Sequence, residues 1–116
     1  MGGSFALDLK SVCSSSKIYG RDNSIKNSEK ALKIGFIDEI IDLSKLREMD
    51  VVVVAVPVDV SLNLVWKILD LIRDDSIVFD VGSTKSPICS FLKNHPKRKN
   101  FLACHPMAGT EFSGPE

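Results

Sequence analysis

The chain has 116 residues, of which 44% are hydrophobic and 26% charged, with 15 Lys and Arg set against 15 Asp and Glu. That length holds at most one domain, and a zero net charge excludes recruitment to nucleic acid or anionic membrane by bulk electrostatics. No apolar run reaches the length of a membrane span, and three cysteines without CxxC spacing read as reduced thiols of a cytoplasmic protein.

The first predicted element is a helix. Phe5, Leu9, Val12 and Cys13 recur at helical spacing, and Ser14-Ser15-Ser16 ends the run. Lys17-Ile18-Tyr19-Gly20 reads as a short strand leading into Arg21-Asp22-Asn23. A helix is predicted over 24–34, with Ser24 as N-cap and Gly35 as the stop. Residues 36–47 are mixed: Ile37, Ile40 and Ile41 fit a turn of helix or a short strand equally.

Val51 to Val56 is a β-branched run broken only by Ala55, the pattern of a parallel strand covered on both faces. Pro57 closes it. Val60, Leu64, Ile68 and Leu71 then mark the buried face of a helix, and Ile77 to Val81 the next strand. Ser86-Pro87 opens another helix, with Ser as cap, Pro at the first helical position and Ile88, Phe91 and Leu92 facing the core. Phe101 to Cys104 is a last short strand. His95 is read as exposed and inert beside Pro96, and Lys97-Arg98-Lys99 as a solvated loop. The alternation of helix and strand predicts an α/β fold, a Rossmann-like doubly wound parallel sheet. Because that class opens on a strand and this chain opens on a helix, the first strand is expected to be missing, with marginal stability or self-association as the consequence.

Polar residues just past strand ends are where such sheets build their sites. Gly2-Gly3 precedes the first helix and fits the end of a G-x-G-x-x-G fingerprint, with Gly2 as its third glycine; a flexible chain end is the competing reading. Asp22 lies 20 residues after Gly2, at a strand end, where a carboxylate accepts hydrogen bonds from ribose hydroxyls and disfavours a 2′-phosphate. This favours NAD, while Arg21 beside it suits the 2′-phosphate of NADP. Val56 and Pro57 would floor the dinucleotide, or simply form a strand exit.

His105 directly follows the last strand and is placed to take a proton near neutrality. Ser83, after the preceding strand, would orient that imidazole or bond to substrate. Glu111 sits six residues beyond His105 on a glycine-containing segment that can curl back over the site. Lys85 fits a substrate carboxylate, a strand cap or an ordinary solvent-facing role. A serine hydrolase is not expected without a G-x-S-x-G elbow, and no metal site is expected because Cys104 and His105 lack partners at ligand spacing.

Four motifs then carry a resemblance. Gly2-Gly3-Ser4-Phe5-Ala6, Ala55-Val56-Pro57-Val58, Asp80-Val81-Gly82-Ser83-Thr84-Lys85 and His105-Pro106-Met107-Ala108-Gly109-Thr110-Glu111 occur in this order in the prephenate/arogenate dehydrogenase family, which the chain resembles over essentially its whole length. The resemblance implies an oxidoreductase of tyrosine biosynthesis that decarboxylates prephenate, or its amino analogue arogenate, while passing hydride to NAD or NADP. It makes His105 the catalytic histidine, Ser83 its partner at the same centre, and Glu111 a residue of the substrate entrance. It also implies that residues 1–116 are a partial dinucleotide-binding domain, inactive alone, whose parent enzyme is a homodimer through a helical C-terminal domain. The rival from another class is a non-catalytic nucleotide-binding remnant. In either case the partner is a small molecule, not nucleic acid or membrane.

Overall fold

The computed structural model describes residues 1–106; Glu111 and the rest of the terminal motif after Pro106 lie outside the described residues. The described chain divides into two compact units, residues 1–42 and 43–106.

In the first unit, helix α1 (Gly2–Val12) leads to strand β1 (Tyr19–Gly20), helix α2 (Ile25–Ile34) and strand β2 (Glu39–Ile40). The two strands pair in parallel, Tyr19 with Glu39 and Gly20 with Ile40. The undecided stretch 36–47 thus holds a short strand followed by a 3₁₀ turn (Leu43–Glu48). Gly35 stops α2 as expected: it takes φ 89°, a left-handed conformation that costs glycine little, and its N–H returns to the last helical turn. Ser24 stands at the N-cap but its side chain makes no capping bond. Asp22 supplies the local acceptor instead, its Oδ1 taking the Ser24 N–H at 2.7 Å.

Close approach explains two glycines of this unit. A Cβ on Gly3 would lie 2.8 Å from the Phe36 ring, and one on Gly20 would lie 2.6 Å from Ile37 Cγ2. Lys10 ties α1 to the segment before β2 by donating to the Gly35 carbonyl and to Asp38, at 2.9 and 2.8 Å. That ammonium and the Ile18 N–H hold the Asp38 carboxyl below the usual carboxylate range. The expected buried face of α1 is not the one observed. Ala6 is its buried residue, whereas Val12 is 83% exposed. Apolar residues lie on several sides of this helix, so spacing alone does not select the inward face.

The second unit holds strand β3 (Val51–Val54), helix α3 (Val58–Leu71), strand β4 (Ile77–Asp80), helix α4 (Ser86–Phe91) and strand β5 (Phe101–Ala103). Its sheet is parallel in the order β3-β4-β5. Register sets Val52, Val78 and Phe101 in one row and, two residues on and so on the same face, Val54, Asp80 and Ala103 in another. On this face the core closes with Val65, Ile68, Leu69 and Ile72 from α3 and its end, and with Ile88 and Leu92 from α4. The other face is more open: Val51, Ile77 and Leu102 are all exposed, so the strands are not covered on both sides as their composition suggests.

Two helix faces need correction here. Val60 and Leu71 of α3 face solvent, and Ser61, Val65, Ile68 and Leu69 face inward. Phe91 of α4 is exposed, edge-on to Trp66 with centroids 5.4 Å apart.

His95 is also reassigned. It is 4% exposed, not solvated. Its Nδ1 accepts the Lys97 N–H at 2.9 Å, so Nε2 carries the hydrogen and donates to Asp70 at 3.0 Å. Trp66 stands edge-on to the ring at 4.5 Å. The basic run after it is partly engaged as well: Lys97 donates to the Ile72 carbonyl that ends α3, and Arg98 stacks over Phe101. The partners of His95 and Lys97 lie 25 residues away, which local polarity does not reveal.

Candidate functional site

The first candidate site lies within the N-terminal unit, where β1 and β2 end together. Parallel pairing puts both carboxyl ends at one edge, and the Ile41 N–H continues the ladder by donating to the Gly20 carbonyl at 3.1 Å. A cleft of about 420 Å³ opens there, lined by Arg21, Asp22, Asn23, Ile25, Ile40 and Ile41, with Ser28 and Glu29 of α2. It offers apolar walls with two carboxylates and a guanidinium among them, the composition of a small-molecule site.

Asp22 is held by its surroundings. Its N–H donates to the Ser28 hydroxyl at 2.9 Å, and Ser28 is buried. Its Oδ1 takes the Ser24 N–H at 2.7 Å and the Asn27 amide at 3.2 Å. Oδ2 has no hydrogen bond among the described residues. An oriented carboxylate with one open oxygen, at a strand end, fits the hydroxyl pair of a ribose. Arg21 is not open in the same way, because its Nη1 pairs with Asp42 Oδ1 at 3.2 Å. No local pattern marks Asp42, because the strand that delivers it is only two residues long. Gly2 and Gly3 form the first turn of α1, and Gly3 also serves packing by admitting the Phe36 ring.

The second candidate site lies within the C-terminal unit, at the carboxyl edge of β3, β4 and β5. Val56 and Pro57 follow β3; Val56 packs on the core and Pro57 caps α3, exposed. Ser83 follows β4 by three residues and His105 follows β5 by two. Because β4 and β5 are parallel neighbours, the topology brings both side chains to one edge. Both are exposed, and neither has a hydrogen bond among the described residues.

Asp80 organises the loop that carries Ser83. It is 3% exposed, and its Oδ2 accepts the Gly82 N–H at 3.1 Å and the Lys85 ammonium. The Val81 N–H meanwhile bonds to the Val54 carbonyl, so the loop leaves the sheet from a fixed base. Lys85 therefore pairs with the buried Asp80 carboxylate while remaining partly exposed itself. A Cβ on Gly82 would sit 3.0 Å from Asp80 Oδ2, so glycine keeps room for this arrangement. Among the described residues no group of three His, Cys, Asp or Glu side chains is placed to hold a metal ion, and no helix is long and apolar enough to cross a membrane.

Comparison with known proteins identifies the family and the fold. Residues 5–116 match the family described as prephenate dehydrogenase, nucleotide-binding domain. Prephenate dehydrogenase of Bacillus subtilis is 35% identical over 118 residues, which cover 98% of this chain and 32% of that protein. The solved structure of A. aeolicus prephenate dehydrogenase in complex with hydroxyphenyl propionate and NAD+ has a TM-score of 0.88 and 36% identity, covering 99% of this chain and 41% of that one. Arogenate dehydrogenase from Synechocystis gives a TM-score of 0.84 at 27% identity, covering 97% and 40%. The chain thus spans about a third of the length of the Bacillus relative, and its fold is the Rossmann-like α/β architecture of these structures.

Proposed function

The chain belongs to the prephenate dehydrogenase family, as its nucleotide-binding domain, and on that premise we propose that it serves an NAD-dependent dehydrogenase that converts prephenate to 4-hydroxyphenylpyruvate. The single observation that carries the chemistry is the shared sheet edge: Ser83 and His105 follow adjacent parallel strands, both exposed.

The residues present fit a dinucleotide. Asp22, with its open Oδ2, would take the ribose hydroxyls, and Gly2 and Gly3 at the start of α1 would let backbone N–H groups meet phosphate; within the C-terminal unit, Val56 and Pro57 offer an apolar strand exit. NAD supplies, when bound, an acceptor for the hydride that leaves the ring carbon bearing the substrate hydroxyl. His105 accepts the proton of that hydroxyl as the carbon–oxygen bond gains carbonyl character. Loss of carbon dioxide then makes the ring aromatic, and the resulting phenolate recovers the proton. Hydride, proton and carbon dioxide are thereby all accounted for. Ser83 fixes the imidazole or the hydroxyl it serves, and Glu111 borders the substrate entrance. The domain works joined to further chain that completes the substrate site and the dimer, and its substrate is a small molecule in the cytoplasm.

His105→Asn in the full-length protein tests this assignment. Turnover should fall by about 10²- to 10⁴-fold, the usual contribution of a positioned acid–base group, with NADH binding retained. Turnover equal to the parent would remove His105 from the chemistry. Running prephenate and arogenate in parallel decides between the two substrates named among the relatives.

A further inference from the structure

Arg21 and Asp42 leave β1 and β2 side by side, and their pairing occurs at the rim of the cleft that Asp22 lines. A guanidinium in this place is the group that a 2′-phosphate would seek, because its planar fork matches phosphate oxygens. Here that fork faces a carboxylate of the chain itself. We infer that Asp42 is a specificity residue: it occupies Arg21 and adds negative charge at the rim of a cleft that Asp22 and Glu29 already line, so the cleft takes a dinucleotide with a free 2′-hydroxyl and turns away its 2′-phosphorylated form. The inference rests on the reading of this cleft as the ribose site.

Exposure strengthens the case. The Arg21 and Asp42 side chains are 50% and 75% exposed, and an exposed pair adds little to folding. Its two charges nevertheless meet any charged ligand at the rim, and replacing Asp42 tests recognition without a large loss of stability.

The experiment is a fluorescence titration of the full-length protein with NADH and with NADPH, at low and high salt. Asp42→Ala should raise the ratio of NADPH to NADH affinity by about fivefold, the scale of one exposed ion pair. Adding Arg21→Gln to that variant should abolish the gain, and high salt should shrink it. A ratio that stays at the parent value in folded Asp42→Ala protein overturns the inference, as does a gain that survives removal of Arg21. Failure of the underlying reading looks different: the parent protein would bind neither dinucleotide, which overturns both.

Discussion

The buried carboxylate of Asp80 pairs with the Lys85 ammonium across the five-residue span that carries Ser83. The Asp80 side chain is 4% exposed and that of Lys85 25% exposed, so the pair is largely withdrawn from water. Removing one partner strands a charge in a place that disfavours it. Lys85→Met should therefore cost about 3 kcal/mol of stability, measured by urea unfolding. The double variant Asp80→Asn/Lys85→Met should recover most of that loss, because it leaves no unpaired charge. Equal loss in the single and double variants would show that packing, not charge pairing, holds the loop.

His95 and His105 should separate by experiment. His95→Ala removes two hydrogen bonds at a buried ring and strands the Lys97 N–H, so a loss of about 2 kcal/mol is expected. His105→Asn alters an exposed residue and should leave stability within about 0.5 kcal/mol. Thermal or urea midpoints of the two variants check this directly.

Acid should weaken the N-terminal unit through Asp38. Its carboxyl is held below the ordinary range first by Lys10 and then by the Ile18 N–H. A carboxyl lowered in the folded state adds stability above its unfolded pKa and loses it as pH falls through its folded value. Asp38→Asn should therefore lower the thermal midpoint at neutral pH, and the gap to the parent should close as the pH drops below the carboxylate range. A gap that is constant with pH would assign the effect to geometry instead.

Much of the fold was legible because β-branched runs and punctuating residues report locally. Val51 to Val54 forms a strand and Gly35 stops its helix, and Ser86-Pro87 marks a helix start, although Lys85 rather than Ser86 is the N-cap and Pro87 is the second helical residue. The inward faces of α1 and α3 were not legible, since apolar residues surround both helices and only the sheet chooses among them. His95 was misread for a related reason: Asp70, its partner, lies 25 residues away. In the two candidate sites, each taken within its own unit, Asp22, Ser83 and His105 could be located as polar residues after strands. Asp42 could not, because its place beside Arg21 depends on the parallel pairing of two very short strands.

The most direct test is to mix the full-length protein with NAD and prephenate, or with NAD and arogenate, and to follow NADH absorbance together with released carbon dioxide. One NADH and one carbon dioxide should appear for each prephenate consumed. Folded protein that binds NAD yet yields neither product from either substrate would overturn the dehydrogenase assignment.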